Sequence, residues 1–448
     1  MTSTGDQHRR VAITGLGVVC PLGNCATSMW EALLNGQSGV APLSLLPQLD
    51  GLVQFGGEAR DFTGVIDNFG ALRKDQKKAI RKALKVMCRE TMMAVSAAQQ
   101  AVADAGFSEE PMDPQRSGVV FGSDYMLSPP DDLVDGMVTC GVRDSGFRYR
   151  EWGQDGLREM NPLWMLKYLP NMPGSHIAII NDLRGPNNSI TLREIAGVMA
   201  IREAMQTIQR GHADRMIAGA TGTRIHPFKT VHALQQEELA DPTAKPEEAS
   251  RPFDANRTGM VVGEGAGAIL LEELELARRR GATIYAEVVG TGSSTVTNCN
   301  LEGQPAAALA NAARTALGEA ATSSSRFGSP YQLGHVNAHG LGTQRSDADE
   351  ALALAMVLGD QSKSVPVVAA KSSFGNLGAG SGIVEVIAST KALHEQRLFR
   401  TLNFESADPK CPLAVATEDG AAPGGNFLKL SVTPQAQATA LVVAAVVS

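Results

Sequence analysis

Three stretches of this 448-residue chain put groups capable of acid–base or nucleophilic chemistry where a strand ends or a helix begins. Ligand and catalytic sites of α/β sheets gather at such ends. In GPNNSITLREIAGVMAIREA, residues 185–204, a strand runs into a helix of small and apolar residues, and Glu194 stands at the hinge. In NAHGLGTQRSDADE, residues 337–350, His339 follows an apolar strand, with Asp347 and Glu350 further on. In AAKSSFGNLGAGSG, residues 369–382, Lys371 sits at a strand end and Asn376 in a glycine-rich loop. A carboxylate and an imidazole together can serve as general base and acid with coupled titration. Asn376 can donate or accept a hydrogen bond but cannot move a proton. Read as ordinary structure, His339 caps a strand end, and Asp347 and Glu350 orient the loops around it.

The elements around these groups alternate between strand and helix. VAITGLGVVCPLG at 11–23 is a β-branched strand breaking into a glycine turn, and ETMMAVSAAQQAVADAG at 90–106 is an alanine-rich helix with a glycine stop. Strands are expected at 117–124 and 214–222, and a helix at about 194–210. A second cycle begins in GEGAGAILLEELELARRRGATIYAEVVGTGSS, residues 263–294, and ends in the strand ATALVVAAVV. The strand endings AITGLG and AEVVGTG resemble each other, a sign of two duplicated halves. The expected division is 1–267 and 268–448. Residues 125–170 lose the rhythm and read as an insertion or lid. The alternation predicts a layered α/β/α body with mostly buried strands.

Composition narrows the function classes. Hydrophobic residues make up 43% and charged residues 19%, which fits a globular chain and excludes disorder. A net charge of −7 argues against nucleic acid as the main partner. One basic run, RKDQKKAIRKALK at 73–85, is either a solvated helix face or a dock for an acidic partner. Cysteines 20, 25, 88, 140, 299 and 411 form no CxxC pair, so neither zinc nor a disulfide framework is expected. MTSTGDQHRR leads into a strand without an apolar signal core, and no run of 18 apolar residues occurs, so a cytoplasmic protein is expected.

Over nearly its whole length the sequence resembles the β-ketoacyl-acyl-carrier-protein synthases of the thiolase-like superfamily. The resemblance rests on VAITGLGVVCPLGN, LPNMPGSHIAIINDLRGPNNSI, GHADRMIAGA, RPFDANRTGMVVGEGAGAILLEELELARRRGATIYAEVVG, VNAHGLGTQRSDADE and KSSFGNLGAGSG. It implies a five-layered α/β/α/β/α fold of two related halves, usually dimeric. It also implies condensation of acyl and malonyl groups carried on the phosphopantetheine of acyl carrier protein, with no other cofactor and no metal. In the family a Cys at the start of a buried helix takes the acyl chain, two His residues assist decarboxylation, and a Lys supports the site.

Carried over residue by residue, the Cys position falls on Glu194 and the second His position on Asn376. His339 and Lys371 keep the family's residues. The family's C-terminal GFGGTN loop aligns with VTPQAQ, residues 432–437, which has none of its glycines. A carboxylate is a poor acceptor from a thioester, because the product is a high-energy mixed anhydride. Two readings follow. One is a chain-length-factor-like partner of an active synthase. The other is an enzyme acting on acyl thioesters, such as a malonyl-carrier decarboxylase, through Glu194 and His339. The decarboxylase reading, in which Glu194 replaces an amide, needs burial to keep Glu194 protonated. Partners implied by the resemblance are acyl carrier protein, which the basic run at 73–85 would suit, and a second synthase chain as homodimer or heterodimer. No membrane is expected among them.

Overall fold

The computed structural model describes residues 9–46, 53–144, 146–323 and 332–446. The expectation about a signal core concerns mainly residues 1–8, which lie outside the described residues. The strands are β1 (Val11–Val19), β2 (Val40–Pro42), β3 (Phe55–Gly57), β4 (Ser117–Ser123), β5 (Asn187–Thr191), β6 (Arg215–Thr223) and β7 (Glu264–Glu273). They continue with β8 (Ala286–Thr295), β9 (His335–Asn337), β10 (Pro366–Val368), β11 (Ala414–Val415), β12 (Asn426–Val432) and β13 (Gln437–Ala444).

The duplication is visible in the pairing. One half runs β1-β7-β6-β4-β5 and the other β8-β13-β12-β9-β10, extended by β11. In each half the first strand is antiparallel to the last, and the last is antiparallel to the fourth. The fourth is parallel to the second, and the second to the third. The halves join where β1 pairs with β8 at Val11–Val288, Ala12–Glu287 and Ile13–Ala286. The division expected at 267/268 falls inside β7, which pairs with β1 and β6 along most of its length. The topological seam therefore lies between Glu273 and Ala286.

Layers follow from which helices touch which strands. Helix Arg89–Asp104 covers the outer face of the first half-sheet, and helix Pro305–Ser323 the outer face of the second. Helices Ala196–Gln209 and Ser381–Glu395 lie between the half-sheets and touch both. Sandwiched this way, Ser381–Glu395 is buried along most of its length, including the polar Glu385, Ser389 and Thr390. The result is the five-layered thiolase-like fold.

Glycine pairs explain why the two strand endings resemble each other. A Cβ built on Gly15 or Gly17 of β1 would lie 2.1 or 1.9 Å from the carbonyl oxygens of Ala101 and Ala97. One built on Gly290 or Gly292 of β8 would lie 2.1 or 2.0 Å from those of Ala316 and Ala312. In both halves an alanine-rich helix backbone rests directly on the strand, which only glycine permits.

The helix expected at about 194–210 begins as a 3₁₀ turn, Arg193–Ile195, and becomes α-helical from Ala196 to Gln209. Residues 125–170 form short helices at Asp131–Thr139, Tyr149–Trp152 and Trp164–Lys167. They are tied down by Tyr168, whose hydroxyl donates to Asp132 at 2.5 Å. The Pro170 carbonyl accepts from Ser123 and Ser189.

Candidate functional site

Glu194 stands on a sharp turn between β5 and the helix Ala196–Gln209. Arg193, just before it, has a φ of 50°, a left-handed conformation uncommon outside glycine. The turn presents Glu194 at the start of a buried helix, where the backbone dipole favours an anion. The residue is 2% exposed. Its Oε1 accepts from the Arg224 guanidinium and from Asn376 Nδ2 at 3.3 Å. Its Oε2 lies 3.3 Å from Arg193 Nε. Arg224, itself buried, also approaches Asp124 at 3.8 Å, and Arg193 pairs with Glu237. Burial by itself would push the Glu194 carboxyl upward, but the charges of Arg224 and Arg193 overrule it and hold it well below the usual carboxylate range. Glu194 is ionised.

His339 follows β9 and is buried. Its loop is fastened by the two acidic residues that follow it in sequence. Glu350 accepts from the His339 N–H at 2.7 Å and the Gly340 N–H at 2.8 Å, and Asp347 from the Leu341 and Gly342 N–H groups. The two carboxylates lie three residues apart on helix Gln344–Leu358, and so on one face of it. Burial raises them to about 6 at Asp347 and about 7 at Glu350. They orient the loop, as the ordinary reading of the sequence expects.

Lys371 sits behind His339, donating to its carbonyl at 2.7 Å and lying 3.4 Å from its Nδ1. Its ammonium also meets Glu385 at 2.5 Å. Lys429 on β12 meets the other oxygen of Glu385 at 2.5 Å and the Ala338 carbonyl at 3.0 Å. Burial lowers the Lys429 ammonium to about 8. Burial, together with the charges of Lys371 and Lys429, holds His339 well below its ordinary value, so the imidazole is neutral.

Asn376 is fully engaged. Its Nδ2 reaches Glu194 and the Met260 sulfur, and its Oδ1 accepts from the Gly378 N–H and the Ser381 hydroxyl. Residues 432–437 form a tight hairpin turn between β12 and β13, closed by Thr433 and Gln437.

The fold thus brings Glu194, His339, Lys371 and Asn376 into one buried cluster. Glu194 and His339 line a cavity of about 180 Å³, with Leu341, Thr343, Val432 and Thr433. Lys371 and Asn376 stand behind it. Among the described residues, none of 125–170 lines this cavity. Among the described residues no group of three or more His, Cys, Asp and Glu side chains could hold a metal ion.

The sequence reading missed Arg224, Asp124, Glu385 and Lys429. Each carried a signal: a charge in an otherwise apolar setting, as in GIVEVIAST or FLKLSV, must find a partner when buried.

Residues 8–277 match the beta-ketoacyl synthase N-terminal domain and residues 285–405 its C-terminal domain. Similar curated proteins include the 3-oxoacyl-[acyl-carrier-protein] synthase 2 of Synechocystis sp., 31% identical over 91% of both chains. The protein of the same name from Coxiella burnetii is 33% identical, also over 91% of both. A β-ketoacyl synthase from Burkholderia phymatum superposes with a TM-score of 0.81 at 26% identity, covering 98% of this chain and all of that one. A type II polyketide ketosynthase, solved in complex with its acyl-carrier protein, gives 0.79 at 25% over the same shares. With two family domains in sequence and this geometry between them, the chain belongs to the β-ketoacyl synthase family.

Proposed function

We propose that this chain is a non-condensing, chain-length-factor-like partner of an active ketosynthase in fatty-acid or polyketide biosynthesis. One observation carries the reading: at the position where the family resemblance puts the acyl-accepting thiol, Glu194 is an ionised carboxylate locked between Arg224 and Arg193. Acyl transfer to it would break a buried ion pair to make an anhydride, and no cysteine lines the cavity.

The same geometry weighs against Glu194 as a stand-in for an amide. A decarboxylase must stabilise an enolate, and an ionised carboxylate repels one. A malonyl group would also bring its charge into a cavity lined by Glu194, Glu237, Glu238 and Asp349 against Arg345. One observation favours the second reading, an enzyme using His339: the neutral imidazole faces the cavity and is held from behind by Lys371.

The proposed partner chain would cover a free sheet edge and one exposed apolar side chain beside it. Among the described residues β5 ends the large sheet and pairs only with β4, and the adjoining helix Met172–Asn181 carries Ile179, 72% exposed. Such an edge calls for cover. For the carrier protein, helix Lys74–Ala83 buries Gln76 and Ile80 and turns Lys74, Lys78, Arg81 and Lys82 outward, a face suited to an acidic partner.

The test is mass spectrometry of malonyl-carrier and acyl-carrier protein after incubation with this chain alone. Neither species should change. Formation of acetyl-carrier protein with loss of carbon dioxide, abolished in His339→Ala, would replace this reading with the decarboxylase.

A further inference from the structure

The cavity that Glu194 and His339 line carries an excess of negative charge. Four carboxylates face it, Glu194, Glu237, Glu238 and Asp349, against the single guanidinium of Arg345. Arg345 is exposed and approaches Asp349 at 3.8 Å. Glu237 pairs with Arg193, and Glu194 with Arg224 and Arg193. Glu238 is exposed and accepts from the Gln344 N–H at 3.3 Å, and among the described residues no cation pairs with it. An anionic ligand would enter against this uncompensated charge, whereas a cation is drawn in by it.

The buried end of the cavity also holds an acceptor that no protein donor reaches. Glu194 Oε1 accepts from Arg224 and Asn376, but among the described residues Oε2 accepts no hydrogen bond. Arg193 Nε, 3.3 Å away, balances its charge without being aligned to donate to it. A buried carboxylate oxygen left this way costs free energy that a ligand's N–H would recover, and a charged N–H most of all. A bare metal ion would need more oxygen ligands than the described residues gather there. Leu341, Val432, Pro305 and Pro434 add apolar wall for a carbon stem. At about 180 Å³ the space is smaller than the range of about 300–1,000 Å³ usual for drug-sized ligands, so the stem is short.

We propose that this cavity binds a small primary ammonium ion, its N–H groups donating to Glu194 Oε2 and its carbon stem lying against Leu341 and Val432. The inference rests on the ionised Glu194 of the reading above and adds a ligand class to it.

The test is a ligand-observed NMR titration of the full-length protein with butan-1-amine at neutral pH, against butan-1-ol, butanoate and butyltrimethylammonium. Butan-1-amine should bind. The alcohol and the anion should bind at least about ten-fold more weakly for want of positive charge, and the quaternary ion likewise for want of an N–H. Glu194→Gln should weaken amine binding by about ten-fold or more, and Glu238→Gln by about two- to five-fold at low salt only. Glu418→Gln removes an exposed carboxylate outside the cavity lining and should change nothing. No amine binding, equal binding of butyltrimethylammonium, or amine binding unchanged in both cavity variants would overturn the proposal. The probe series uses the unaltered chain, so it decides even if Glu194→Gln fails to fold. Loss of the proposal on these grounds, with carrier species still unchanged, would leave the non-condensing reading in place. Formation of acetyl-carrier protein would remove that reading whatever the amine does.

Discussion

At the scale of single residues, the question is what a buried carboxylate costs and what offsets it. Glu194 is tolerated because Arg224 and Arg193 neutralise it, and each partner depends on the other. Removing one member of a buried pair typically costs about 3–5 kcal/mol, because the other is left charged and dry. Arg224→Met should destabilise the protein by about that much in urea unfolding at neutral pH. Arg224→Met combined with Glu194→Met should recover much of the loss. The pH dependence has a definite sign. In the native protein the depressed Glu194 contributes stability that is complete above its ordinary value of 4.5 and lost only at lower pH. In Arg224→Met the dominant influence left is burial, which raises the carboxyl. That variant should therefore gain stability as pH falls from 8 to 5, where the native pair changes nothing. A variant equally destabilised at both pH values would mean that Arg193 alone holds the Glu194 carboxyl down. Asp347 and Glu350, raised to about 6 and 7, act oppositely to native Glu194: their contribution is present at low pH and is lost as pH rises through those values.

At the scale of elements, the duplicated strand–helix contact is the strongest constraint. Gly17 and Gly292 occupy equivalent places on β1 and β8, each under an alanine helix. Gly17→Ala or Gly292→Ala forces a methyl group into a backbone carbonyl that belongs to a packed helix and cannot yield. Each should cost about 1–3 kcal/mol or more in denaturant unfolding. Gly318→Ala, on the open side of helix Pro305–Ser323, meets nothing within 4 Å and should be neutral or stabilising. Equal effects at the three positions would show that the strand–helix contact does not limit packing. This contact is also why the repeat was legible in the sequence: close approach leaves a glycine pair on the strand and small residues on the helix. The division at 267/268 was not legible, because an apolar run beginning with glycines reads alike as the end of one half or the start of the next.

At the scale of the whole molecule, charge is unevenly placed on a chain of net −7. The outward face of helix Lys74–Ala83 is basic, while the mouth of the site cavity carries Glu237, Glu238 and Asp349. Reversing charge at Lys77, Lys78 and Arg81 should weaken acyl-carrier binding at low salt and lose its effect as ionic strength rises, measured by titration calorimetry. Unchanged affinity at low salt would return this helix to an ordinary solvated face.

The sequence by itself determined the family, the alternation of strand and helix, and the four positions at issue. Those are local properties: glycine turns, periodic apolar residues and motif spacing survive without knowing what lies opposite. It also determined that Asp347 and Glu350 follow His339 closely enough to hold its loop. Only the tertiary structure decided the charge of Glu194. That depends on Arg224, 30 residues on, and on how deeply both are buried. The same holds for Lys429, which reaches Glu385 and the carbonyl before His339 from a strand near the C-terminus. A side chain's protonation follows from the field of every neighbour the fold brings to it, and no spacing along the chain contains that field.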